Sequence, residues 1–279
     1  MSLINKEKLF KFVRRVCSKT FALAEKNIKM SLRYKFYAIM QFITPLITIF
    51  MSYVIFSKMF EITSDFGQWT SQNYFIFIFI GYSVLLLRNM ITGIPQRLHE
   101  EKVWKTIPAL MVAPFNRFYL LLGYFISEFF MIFFPFLVFT IVLFILNPIS
   151  IITLAVIVIA YFCLAIIFTG ISMFVGVFAI SNENIWALLR FLTNLIFWAS
   201  CISYPFEIFP EPLQKMIVYN PIYQIINFLR LLWLENNVLL TITNHIPEVI
   251  IFAISLITFP LVAIYLFNYV YKKLGITGY

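Results

Sequence analysis

The sequence predicts an all-α membrane protein with six transmembrane helices, and three observations carry that expectation. The first is composition: 62% of the 279 residues are hydrophobic, 12% are charged and 34 are Phe, with a mean hydropathy of +0.92. No soluble core could hide that much apolar surface, so lipid must be the solvent for most of the chain. The second is where the charge lies. Ten of the 21 Lys and Arg precede residue 36 and the remainder flank apolar runs, which is the pattern of membrane orientation and not of nucleic-acid binding, despite a net charge of +9. The third is a set of six apolar runs, each close to the roughly 20 helical residues that a hydrocarbon core requires.

Residues 1–35 form the first unit, expected to be a cytoplasmic amphipathic helix lying along the membrane face. Lys6, Lys8, Lys11, Arg14, Arg15, Lys19, Lys26, Lys29, Arg33 and Lys35 stand against only Glu7 and Glu25. Interleaved Leu9, Phe10, Phe12, Val13, Val16, Phe21, Leu23, Ile28, Met30 and Leu32 supply an apolar face. A cleavable signal peptide would be shorter and less charged, and a solvated tail would not carry so many large apolar side chains.

Residues 36–279 form the second unit, with spans expected at 36–56, 74–94, 119–146, 151–180, 188–205 and 247–270. An even number places both termini on one side. Ten positive charges in the N-terminal arm, four in residues 97–117, Arg190, and Lys272 with Lys273 make seventeen on that side; Lys58, Lys215 and Arg230 make three on the other. The termini and the 97–117 and 181–187 connections are therefore expected in the cytoplasm of a cell with an inner, cytoplasmic membrane.

The 97–117 connection is a compact charged island. Arg97, Lys102, Lys105 and Arg117 sit beside Glu100 and Glu101, while Val103, Trp104, Ile107, Leu110 and Met111 recur at roughly helical spacing. A short amphipathic cytoplasmic helix is expected there, of the kind another subunit would need in order to push on a membrane domain. On the far side, 147–150 is a tight turn and 206–246 is a long connection. Pro205, Pro210, Pro212 and Pro221 divide it into short helical pieces. Leu213, Met216, Ile217, Ile222, Ile225, Ile226 and Phe228 are too apolar for a free loop, so these pieces are expected to dip back into the outer leaflet as re-entrant helices.

Two charges fall inside spans. Arg88 and Glu128 both lie roughly 9 to 13 Å deep at 1.5 Å per residue, and are expected to form an ion pair fixing the second span against the third. The motifs of chemistry are missing. No GxxxxGKS or GxxxxGKT occurs among the eight glycines, so no nucleotide is held by a phosphate loop. Cys17, Cys163 and Cys201 are widely spaced, and His99 and His245 fall on opposite sides in this topology, which leaves no metal site. Asp65, the one aspartate, is expected in an outer loop, against a phosphoaspartate pump or paired-Asp chemistry. The chain is thus expected not to be an enzyme, and energy for transport has to come from an ion gradient or a separate ATPase.

Two stretches carry a family resemblance. Glu101, Lys102, Trp104, Thr106, Ile107, Leu110, Met111 and Pro114, followed by Leu121, Leu122 and Gly123, resemble the pattern EREWGTLxxLLxxP with a following LLG found in permease subunits of type-2 ABC exporters. Val103 replaces the second glutamate of that pattern and Lys105 its glycine. Tyr204, Pro205, Pro210, Leu213, Gln214, Asn220, Pro221, Ile222, Leu229 and Arg230 resemble the family's YPxxxxPxxLQ and NPLxxxxxxLR signature before the last span.

The resemblance implies two copies of the membrane domain, as a homodimer, working with two copies of an ATP-binding subunit that carries ATP and Mg. The island then becomes the coupling helix, with Glu100 and Glu101 as polar contacts to the ATPase and Trp104, Ile107 and Leu110 as apolar anchors. Closure of the ATPase would move the first, second and fifth spans at the dimer seam and open an outward path. Tyr37, Phe197, Trp198 and Tyr204 are the candidate path residues, because aromatic faces stack on sugars and slide past acyl chains. An apolar path with few charges suits a lipid, glycolipid, lipid-linked glycan or hydrophobic drug. The alternatives are an ion-coupled secondary transporter using Arg88 and Glu128, or a non-transporting membrane scaffold.

Overall fold

The computed structural model describes residues 3–33, 35–62, 65–103, 105, 117–181 and 183–274. Among them are ten α-helices and one small hairpin: α1 (Leu3–Arg33), α2 (Lys35–Ile62), β1 (Asp65–Phe66), β2 (Trp69–Thr70), α3 (Tyr74–Val103), α4 (Arg117–Leu146), α5 (Ile151–Ser181), α6 (Glu183–Trp198), α7 (Glu211–Val218), α8 (Pro221–Glu235), α9 (Val238–Asn244) and α10 (Ile246–Leu274). A 3₁₀ turn at Phe206–Ile208 precedes α7.

Five of these helices, α2, α3, α4, α5 and α10, are long and apolar enough to cross a membrane. Pro45, Pro95, Pro135 and Pro260 lie inside four of them, which packed membrane helices tolerate because neighbours re-satisfy the freed backbone groups. α3 is the centre of the bundle: 72% of its apolar stretch is buried, against 17% for α2 and 11% for α10. It packs on α4 and α5. Phe136 of α4 stacks on Tyr161 of α5 with ring centroids 3.5 Å apart, and the Tyr161 hydroxyl donates to the Ser83 carbonyl of α3 at 2.8 Å. One fully buried phenol thus joins three helices with its polar tip satisfied.

The sixth expected span, 188–205, is not among the helices long and apolar enough to cross a membrane by themselves. α6 is a 16-residue helix ending at Trp198, about 24 Å long, and its apolar run of Leu188–Trp198 is shorter than a span. The chain then turns: Cys201 has a left-handed φ of 51°, and Ile202, Tyr204 and Pro205 lie in turn and not in helix. A second difference is at the island. α3 does not stop near residue 94 but continues to Val103, so Arg97, Glu100 and Glu101 ride on the same helix as the second span. Residues 106–116 lie outside the described residues, and with them the rest of the expected coupling helix.

Between α6 and α10 the prolines act as the sequence leads one to expect. Pro205 caps the 3₁₀ turn, Pro210 caps α7 and Pro212 lies in its first turn, and Pro221 opens α8, positions where a missing N–H goes unnoticed. α8 is almost wholly buried, from Ile222 to Trp233, and packs against α3, α5 and α10.

Candidate functional site

The polar chemistry of the interior gathers where α8 meets the ends of the long helices. Asn220 begins it. Its side-chain carbonyl accepts from the Ile222 N–H at 3.0 Å, capping α8, while its amide nitrogen donates to the Ile196 and Ala199 carbonyls at 3.0 and 3.2 Å and reaches the Ser200 hydroxyl at 2.9 Å. One side chain therefore caps the start of α8 and the end of α6 together.

Arg230, 1% exposed, completes the arrangement. Its Nη1 donates to the Cys201 carbonyl at 3.0 Å and its Nη2 to the Ile202 carbonyl at 3.1 Å. Nε and Nη2 both donate to the Phe77 carbonyl, at 3.3 and 3.2 Å. The guanidinium carbon lies 3.6 Å from the centroid of the Phe77 ring, and Trp69 from the hairpin packs edge-on against that same ring at 5.2 Å. Burial pulls the pKa of Arg230 down, and the guanidinium, a cation throughout the physiological range, is held by the carbonyl dipoles of Phe77, Cys201 and Ile202. Glu207 lies near, its carboxylate against Gly67, whose φ of +62° and missing Cβ leave it room. Burial pushes the Glu207 carboxyl up, and Arg230 opposes that more weakly.

The far end of α8 is tied as firmly. Trp233 donates from its indole nitrogen to the Asn147 carbonyl at 3.2 Å. Asn236, left-handed at φ 49°, accepts from the Ser150 N–H at 2.7 Å, so both bonds close the turn between α4 and α5. Glu235 accepts from the Thr241 hydroxyl at 2.6 Å and meets the His245 ring at 3.0 Å. α8 is in consequence a clamp that fixes the ends of α3, α4, α5 and α6 to one another. Sequence reasoning missed it. Arg230 was counted there as one exterior charge; the available signal was a single arginine inside an otherwise apolar helix.

The expected site residues fall as follows. Glu100 and Glu101 lie on the last turn of α3, at the end away from α8; their side chains, with Trp104, Ile107 and Leu110, lie outside the described residues, as does the side chain of Tyr37. Arg88 lies on α3 and Glu128 on α4. The Glu128 carboxylate lies against Gly93, where an added Cβ would be 3.1 Å from its carboxyl carbon, whereas Arg88 is within electrostatic range of Arg190 on α6. Phe197 is buried edge-on against Phe168 at 5.4 Å, while Trp198 and Tyr204 are exposed.

Lys105 lies two residues past the end of α3 with a left-handed φ of 57°, the position at which helices favour glycine. Glycine also stands there in the pattern the island resembles. Lys105→Gly is expected to stabilise the last turn of α3 by about 1 kcal/mol, the strain an L-residue bears in that region. Amide hydrogen exchange across 99–103 should slow about fivefold, and unchanged exchange would count against the strain.

These features define a multi-pass helical membrane protein whose long helices are bolted together at one end by a buried arginine. Residues 18–233 match the ABC-2 type transporter family, and the chain belongs to it. Members are membrane permease components of ABC transporters, which partner an ABC ATP-binding subunit. No curated protein gives a significant match to the sequence.

Proposed function

We propose that the chain is the permease subunit of an ATP-driven exporter that moves an amphipathic cargo, a lipid, glycolipid, lipid-linked glycan or hydrophobic drug, outward across the cytoplasmic membrane. The observation that supports this best is the continuity of α3. From Phe77, held by Arg230, to Val103 beside Glu100 and Glu101, it is one helix about 39 Å long. A push on the segment around Trp104 is transmitted along such a rod without loss to a slack loop, and arrives at the clamp. The charge bias favours the termini and Lys105 in the cytoplasm and, with α6 and the turn after it making a sixth crossing, α7 to α9 in or near the outer leaflet. In that position the short α6 ends inside hydrocarbon, where its last carbonyls need internal donors; Asn220 supplies one at Ile196, and Arg230 satisfies the carbonyls of the turn that follows.

Two copies of the chain and two ATP-binding subunits make up the working assembly in this reading, ATP and Mg belonging to the latter. α2 and α6 expose apolar faces, Ile47 and Phe50 on one, Phe191 and Trp198 on the other, and these are the faces this reading gives to a second copy. α3, buried within one chain, is not one of them. Trp198 and Tyr204 then lie where an amphipathic cargo would pass.

Glu101→Lys and Trp104→Ala test the coupling. Each is expected to lower co-purification with a cognate ATP-binding subunit, or its ATPase rate in the complex, by tenfold or more, on the order of 1.4 kcal/mol of lost docking. Wild-type assembly and turnover in both variants would overturn the proposal, as would full transport by the isolated chain driven by an ion gradient.

A further inference from the structure

α3 changes character at Arg88. From Tyr74 to Leu87 its side chains are buried or half-buried. Arg88 and Thr92 then stand one turn apart on a single line, half-buried, with Asn89 exposed beside them. α6 carries a matching line, in which Arg190, Asn194 and Trp198 follow at four-residue steps and all three are exposed. α3 and α6 both pack on α5, and Arg88 is within electrostatic range of Arg190. Two polar lines thus flank α5, each headed by an arginine and each set in an apolar run.

Positive charge is in excess there. α5 has no acidic residue, α6 has only Glu183 at its start, and α3 only Glu100 and Glu101 near its end. Glu128 of α4 reaches α3 at Gly93, one carboxylate beside two arginines. A second copy of the chain would bring the same cations again. Lipid tails are the wrong neighbours for such groups, and polar side chains inside spans mark the routes of substrates and ions. Snorkelling to the headgroups accounts for Arg190 alone; the short side chains of Asn89, Thr92 and Asn194 do not reach that far. What fits is an anion rich in acceptor oxygens. Guanidinium forks pair with phosphate bidentately, and the two amides and the hydroxyl offer further donors. Trp198, 77% exposed and about 12 Å further along α6 than Arg190, presents an apolar surface to whatever the anion is attached to.

We propose that Arg88 and Arg190, with the polar side chains in line with them, bind the phosphate headgroup of the cargo, which makes that cargo a lipid phosphate and not a neutral glycolipid or drug. The proposal rests on the exporter reading and narrows it. In the orientation given above, both arginines lie nearer the cytoplasmic ends of their helices, so a lipid phosphate leaving the inner leaflet meets them before it meets Trp198 and Tyr204.

The test uses the full-length protein in neutral detergent with phosphatidic acid or diacylglycerol, lipids that differ by the phosphate, each carrying a photoreactive acyl chain. Wild type is expected to take up phosphatidic acid at least tenfold more tightly, with cross-links mapping to peptides within 85–96 and 188–198. Excess inorganic phosphate should not displace it, because the acyl chains are part of what is bound. Arg88→Gln with Arg190→Gln should cut those cross-links at least tenfold, and Arg190→Gln alone, at an exposed position, at least threefold. Lysine at both positions should fall between wild type and glutamine. Thermal unfolding verifies that each variant is folded. With a cognate ATP-binding subunit, ATP and Mg added, the lipid should leave at least fivefold faster, as a cargo does and a structural lipid does not. The proposal is overturned by equal uptake of the two lipids, by cross-links confined to residues 3–33, by undiminished labelling of the arginine variants, by displacement with inorganic phosphate, or by release indifferent to ATP. Uptake is read without the ATP-binding subunit, so a missing phosphate preference sinks this site alone, and the exporter reading is decided separately by Glu101→Lys and Trp104→Ala.

Discussion

Arg230→Met is expected to lower the unfolding temperature of the detergent-solubilised protein by roughly 5 to 15 °C, from a loss of about 2 to 4 kcal/mol. Methionine fills a similar volume without donors. The carbonyls of Cys201 and Ile202, which belong to a turn, then lose the bonds at 3.0 and 3.1 Å that satisfy them; each unsatisfied buried carbonyl costs about 1 to 3 kcal/mol. Removing a buried charge offsets part of that loss. The location of the damage is the sharper readout. Hydrogen exchange should rise at the start of α3 and across 199–204, both held by Arg230. The 147–150 turn, held by Trp233 and Asn236, should stay protected. Arg230→Lys keeps the charge but not the planar fork that reaches three carbonyls, and is expected to fall between. A methionine variant with wild-type stability and exchange would show that the clamp fixes nothing.

The clamp also explains what the sequence could and could not reveal. Apolar run length located α4, α5 and α10 well, because a helix crossing lipid must be apolar throughout and the charged residues at its ends mark where lipid stops. The same logic carried the expected helix past the end of α6. Ile202, Tyr204 and Pro205 extend the apolar run, yet a turn packed inside protein is as apolar as a helix facing lipid. The end of α6 and the turn after it are held by donors on Asn220 and Arg230 respectively, more than twenty residues further along, which no local pattern encodes. At the island the error ran the other way. Charge from Arg97 onward marks a change of solvent, but α3 keeps its backbone bonds through that change and stops only at the left-handed Lys105.

The Arg88 and Glu128 expectation shows a further limit. Depth along two helices follows from counting residues, whereas azimuth depends on how the helices pack. Glu128 meets α3 at Gly93, five residues from Arg88 and so about 140° round the helix from it. Family resemblance fared better in this respect: the residues matched at Asn220, Pro221 and Arg230 are those that tie α8 to α6 and α3, although the resemblance itself said nothing of why.

Gly170→Leu is expected to be among the most damaging single substitutions along the spans. α5 and α10 pack closely through Gly170, where an added Cβ would lie 2.8 Å from both the Phe259 carbonyl carbon and the Pro260 nitrogen. Those are backbone atoms and cannot swing aside as a side-chain tip would. Pro260 sits inside α10, where its ring and missing N–H already displace the preceding turn, so α10 has little freedom left to retreat. Alanine should cost about 1 to 3 kcal/mol by overpacking. Leucine should push the helices apart, opening the contact between Phe252 of α10 and Phe228 of α8 and loosening the clamp from behind. The expected series is therefore graded: a drop of several degrees in unfolding temperature for Gly170→Ala, and for Gly170→Leu a protein that is poorly recovered, with raised exchange in α10 and α8. Wild-type behaviour of the leucine variant would mean that α5 and α10 do not approach at this point, and the packing behind α8 would have to be redrawn.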